Sequence, residues 1–90
     1  MTLQELADRI AERWTDEGMG TATVVVHEDH CDIELLDEGG EEFYIGNYAD
    51  PGITICELTE FKDATLVKVN NIWMQAFPKH IVGWAIGYSG

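Results

Sequence analysis

Positive charge is scarce in this 90-residue chain: five Lys and Arg stand against seventeen Asp and Glu, a formal net charge of −12. Holding phosphates through a protein's own field takes clustered Lys and Arg, so direct nucleic-acid binding is not expected. Long apolar runs are missing too. No stretch approaches the roughly 18 residues of a membrane span, so no membrane partner is expected. Glu5, Asp8, Arg9, Glu12 and Arg13 crowd the N-terminus with charges that a secretory signal does not carry, which points to a cytoplasmic location. Serine occurs only as Ser89, and no G-x-S-x-G, phosphate-cradling glycine loop or dinucleotide fingerprint is present. The expectation is a protein that is not an enzyme.

Cysteine is nearly absent as well, with Cys31 and Cys56 alone. An intracellular chain keeps such thiols free. Cys31 shares strand parity with Ile33 and Leu35, which reads as a small buried hydrophobe. His27, His30, Cys31, Cys56 and His80 are donors of the zinc type, but no C-x-x-C or H-E-x-x-H spacing joins them. No metal or cofactor is expected on that basis. His27 or His30 beside Glu28 and Asp29 offers acid–base groups, and a polar hairpin turn explains the same residues equally well.

What is present is enough to fold: 46% of residues are apolar and nine are aromatic, which predicts a single acidic domain over residues 1–90. Thr2 and Glu5 have the T-x-x-E spacing of a capping box. Leu3, Leu6, Ala7, Ile10, Ala11 and Trp14 then recur as one helical stripe, and Gly18 and Gly20 end it, giving a helix over 2–17. Glu5, Asp8, Glu12 and Asp16 form a second stripe on the solvent side, with Glu5 able to pair with Arg9. From Thr21 the period changes to two. Strands are predicted over 21–27, 31–35, 42–48, 53–59, 65–69 and 72–77, with turns at Gly39-Gly40, Asp50-Pro51-Gly52 and Asn70-Asn71. Phe77-Pro78-Lys79 turns the chain again. A last strand follows, with Val82, Trp84, Ile86 and Tyr88 on one face and Gly83, Ala85 and Gly87 on the other. The fold class is therefore α+β, an N-terminal helix followed by a curved antiparallel sheet of five to seven short strands, with closure into a small barrel as its alternative.

Charge is segregated along the chain. All seventeen acids lie in residues 1–63, whereas residues 64–90 contain only Lys68 and Lys79. Residues 28–42 hold Glu28, Asp29, Asp32, Glu34, Asp37, Glu38, Glu41 and Glu42 without one base. If Gly39-Gly40 is a two-residue loop, Glu38 faces Glu41 and Asp37 faces Glu42, an arrangement destabilised by like charge. The spacing is wrong for a calcium loop, so a basic partner is the better reason for these carboxylates. The partner-binding candidates are Asp32, Glu34, Asp37, Glu38, Glu41 and Glu42, with Asp8, Glu12 and Asp16 as a second patch. Trp73, Phe77, Trp84 and Tyr88, with Lys68 and Lys79, form an acid-free aromatic region that reads as core, or else as the face of an oligomer such as a homodimer.

Through the helix acids Glu5, Asp8, Glu12 and Asp16 and the run Glu28–Glu42, the chain resembles small acidic phage-encoded inhibitors: anti-CRISPR proteins and other DNA mimics. The resemblance is one of size, charge and α+β pattern over the whole chain. It implies a non-enzymatic inhibitor in a prokaryotic host cell, whose partner is a basic nucleic-acid-binding protein such as a CRISPR effector or nuclease. Lys79-His80-Ile81 is similar to the final turn of the bacterial Sm-like RNA chaperones, a resemblance that implies a small barrel of five bent strands. The alternative function is a structural or oligomeric module built on the aromatic C-terminal face.

Overall fold

The Thr2 hydroxyl accepts the Glu5 N–H at 3.1 Å and the Glu5 carboxylate accepts the Thr2 N–H at 3.0 Å. That closed capping box starts helix α1, Leu3–Asp16. Glu5 thus spends its carboxylate on the helix start, and the i,i+4 ion pair of α1 is Arg13 with Glu17 at 2.7 Å. At the far end the Gly18 N–H reaches the Thr15 carbonyl and the Met19 N–H the Trp14 carbonyl, with Gly18 at φ +72°. This pair of bonds satisfies the last carbonyls and needs a left-handed residue, which glycine supplies without a side-chain clash. The computed structural model describes residues 1–45 and 51–87.

Five strands follow in antiparallel chain order: β1 (Gly20–Val26), β2 (His30–Asp37), β3 (Ile53–Phe61), β4 (Ala64–Val69) and β5 (Ile72–Gln75). Their inner face is apolar because side chains alternate, so Cys31, Ile33 and Leu35 of β2 line up with Ile53 and Ile55 of β3 and Val67 and Val69 of β4. Helix α1 packs onto that face through Leu6, Ala7, Ile10 and Trp14. Trp14 is fully buried, donates its indole N–H to the Leu36 carbonyl at 3.1 Å, and stands edge-on to Phe43 with ring centroids 5.0 Å apart. Asn70 and Asn71, both at positive φ, make the tight turn between β4 and β5. Between Cys56 and Thr59 the β3–β4 register shifts by one residue around Glu57, at φ 56°, a bulge that bends the sheet.

The fold class holds as expected, an N-terminal helix with a five-strand antiparallel sheet, and three of the finer expectations are corrected. The sheet is open, with β1 and β5 as its two edges, so the small barrel of the Sm-like resemblance is not formed. The expected last strand is instead helix α2, Pro78–Ala85. Pro78 sits at its first turn, where its fixed φ suits a helix and its missing N–H costs nothing. Ile81, Val82 and Ala85 are the buried residues, a helical spacing rather than an alternating one. The strand expected over 42–48 reduces, among the described residues, to isolated bridges of Glu42 with Leu36 and Tyr44 with Pro51. Residues 46–48, Asp50 of the expected turn and Tyr88 lie outside the described residues. Gly52, at φ +93°, is pressed against β2 so closely that a Cβ there would run into the Ile33 carbonyl oxygen.

Candidate functional site

The acidic residues singled out in the sequence occupy three separate places. Asp8, Glu12 and Asp16 are exposed on α1. They lie on the side opposite Leu6, Ile10 and Trp14, so this stripe faces away from the sheet. Asp32 and Glu34 point the other way, from the outer face of β2, because Cys31, Ile33 and Leu35 take the inner one. The tip between β2 and the following segment carries the rest.

That tip is built differently from the two-residue loop expected. The Asp37 N–H bonds to the Glu41 carbonyl at 2.8 Å, the Gly40 N–H to the Asp37 carbonyl at 3.0 Å, and Leu36 bridges Glu42. Glu38, Gly39 and Gly40 therefore form a three-residue loop, with Gly40 at φ +80° supplying its left-handed position. Asp37, not Glu38, stands opposite Glu41. Its carboxylate turns inward and accepts the Gly39 and Glu41 N–H groups, each at 2.9 Å. That local bonding offsets the like-charge cost and is what Asp does readily in turns. Glu42 is also engaged, accepting the Tyr44 hydroxyl at 3.0 Å, a bond that pushes the phenol above its ordinary range. Glu38 and Glu41 remain as the outward carboxylates of the tip, both exposed.

Asp32 is likewise committed. Its Oδ1 accepts the Thr54 hydroxyl at 2.7 Å, and its Oδ2 lies 2.9 Å from His27 Nε2 and 3.7 Å from His30 Nε2. The antiparallel register makes this cluster. His27 and His30 face one another across the β1–β2 turn, and Thr54 is the β3 partner of Asp32. The two imidazoles stack with centroids 4.2 Å apart and planes 11° from parallel. Asp29 Oδ1 meets His30 Nδ1 at 2.6 Å, and that hydrogen bond holds the Asp29 carboxyl below its ordinary range. The spacing His27-x-x-His30-x-Asp32 carries the parity that places all three on one face once the turn is centred on Glu28-Asp29.

Of the remaining zinc-type donors only Cys56 comes beside this cluster, and it is not one of the three whose ligand atoms lie within 4.8 Å of one another. Cys31 is buried on the inner face, where burial pushes its thiol up, and Cys56 lies on the outer face as the cross-strand partner of His30. The two thiols thus leave neighbouring strands on opposite sides and do not meet. His80 is on α2. Nor, among the described residues, do Trp73 and Phe77 of the aromatic region form core: they are 46% and 59% exposed, while the half-buried Trp84 packs against the core. Lys68 Nζ lies 5.8 Å from the Trp73 ring centroid, an exposed cation–π contact.

Among the described residues no helix is long and apolar enough to cross a membrane. Comparison of the chain with protein-family models, curated proteins and solved structures returns no match.

Proposed function

We propose that this protein is a non-enzymatic inhibitor or binding protein that covers the basic, nucleic-acid-binding surface of a partner, such as a CRISPR effector or nuclease, by DNA mimicry. One observation supports it above the others. Asp8, Glu12, Asp16, Glu38 and Glu41 are exposed, and among the described residues none of them is ion-paired with Lys, Arg or His. Asp8, Glu12 and Asp16 follow one another at i,i+4, a spacing at which like charges weaken a helix by a few tenths of a kcal/mol per pair. Folding is not served by that choice. An Arg fork that holds a phosphate holds a carboxylate by the same paired hydrogen bonds, so such a row suits a surface evolved for nucleic acid.

In this reading the work is divided between the patches. Asp32, Asp37 and Glu42 are occupied within the fold, so the outward charge rests on the α1 stripe, Glu34 and the tip. The test is displacement. The immobilised chain captures its partner from an extract of the cells that encode it, and duplex DNA or RNA is added as competitor. Nucleic acid releases the partner, rising salt weakens capture because exposed pairs are screened beyond about 8–10 Å, and Glu38→Lys/Glu41→Lys combined with Asp8→Lys/Glu12→Lys abolishes it. Capture that survives all four reversals at low and high salt refutes the proposal. A second reading, an oligomeric module, is favoured by the exposure of Trp73 and Phe77. A mass that rises with concentration and returns to the monomer in Trp73→Ser supports it.

A further inference from the structure

The histidine–carboxylate cluster on the outer sheet face is not needed for the acidic surface. An ionised carboxylate only accepts hydrogen bonds, so the 2.6 Å contact with Asp29 puts the proton of His30 on Nδ1. Nε2, the ring's other nitrogen, lies 3.7 Å from Asp32 Oδ2. A ring nitrogen and a carboxylate oxygen at that range can share one cation as ligands. His27 Nε2 lies 2.9 Å from the same oxygen, and the Thr54 hydroxyl, bonded to Oδ1 at 2.7 Å, keeps Oδ2 aimed at the imidazoles.

We propose that His27, His30 and Asp32 bind a divalent transition-metal ion of the zinc class. Bonds of about 2.0–2.1 Å in a tetrahedral zinc site set neighbouring ligand atoms about 3.3 Å apart. The two imidazole–carboxylate distances, 2.9 and 3.7 Å, bracket that value, and the three ligand atoms lie within 4.8 Å of one another. The support behind the ligands is of the kind metal sites use. Asp29 fixes the tautomer and orientation of His30, and Thr54 orients Asp32. The His27 side chain is 42% exposed at the end of β1. Turning its ring out of the stack, with its proton moved from Nε2 to Nδ1 so that the ring stays neutral, brings its Nε2 lone pair onto the ion. Two imidazoles and one carboxylate select zinc, copper or nickel over magnesium and calcium, which take oxygen ligands. Water completes the coordination.

The experiment is calorimetric titration of the full chain with zinc chloride, together with the ring resonances of its three histidines. Zinc binds at one saturable site, one ion per chain, and shifts the His27 and His30 signals but not those of His80. His27→Ala, His30→Ala and Asp32→Asn each weaken binding at least tenfold. Asp29→Asn, which keeps every ligand, weakens it by roughly ten- to a hundredfold. His80→Ala changes nothing. Circular dichroism verifies that each variant keeps its fold. Unaltered zinc affinity in the His27→Ala/His30→Ala double variant overturns the proposal, as does an equal response to magnesium (diffuse attraction to an acidic surface) or the absence of binding at millimolar zinc. No partner protein enters the measurement, so its outcome is independent of the inhibitor reading.

Discussion

Asp37 distinguishes the observed hairpin from the simpler one by the sign of a stability change. Its carboxylate satisfies the Gly39 and Glu41 N–H groups, both at 2.9 Å. Asp37→Ala removes that acceptor from two backbone donors at once, a loss comparable to deleting a helix N-cap, about 0.5–2 kcal/mol. Against this stands the relief of repulsion between Asp37 and Glu41, only about 0.2–1 kcal/mol for a directly opposed pair. The lost bonds win, and Asp37→Ala is destabilised by about 0.5–1 kcal/mol. In a domain of this size that lowers Tm by roughly 2–8 °C. Asp37→Asn keeps an oxygen acceptor while discarding the charge, so its stability stays within about 0.5 kcal/mol of the parent. In a two-residue loop Asp37 would instead face Glu42 with its carboxylate free, and both substitutions would stabilise. Urea and thermal unfolding followed by far-UV circular dichroism measure the difference directly. An Asp37→Ala variant that melts above the parent refutes the three-residue loop and the role assigned to the carboxylate.

Trp14→Ala empties a fully buried site and leaves the Leu36 carbonyl without its indole donor; it costs about 3–5 kcal/mol, a large share of the 5–15 kcal/mol typical of a domain, and is measured by urea unfolding monitored by circular dichroism. Loss of partner binding in that variant follows from unfolding, unlike the loss expected from reversing Glu38 and Glu41. The pH dependence of the capping box has a definite sign. Hydrogen bonds from Thr2 hold the Glu5 carboxyl below its ordinary value of 4.5, so its contribution is complete above that value and disappears as pH falls through the folded-state one. Glu5→Gln therefore melts below the parent at neutral pH, and the gap between the two closes in acid; a gap that stays constant down to pH of about 2 removes the charge from the cap.

Sequence alone determined the parts of this protein whose physics is local. The reciprocal bonds of Thr2 and Glu5 span one turn, the stripe from Leu6 to Trp14 matches the helix period, and Gly18 answers the left-handed end. Asn70-Asn71 similarly carries its own turn. Alternation in 31–35, 53–55 and 67–69 assigned the inner face of the sheet, because strand parity needs no partner to be read. Residues 78–86 were not legible in this way. Val82, Trp84 and Ile86 satisfy a strand, Ile81, Val82 and Ala85 a helix, and only packing against α1 decides between two periods in so short a run. The two-residue loop expected for the acidic tip is one residue out of register, since the choice between two- and three-residue loops lies in where Asp37 sends its carboxylate. The histidine–carboxylate cluster depended on tertiary structure most of all. His27 follows the end of β1, His30 and Asp32 lie on β2 and Thr54 on β3, and a site made by cross-strand register exists only once the strands have paired.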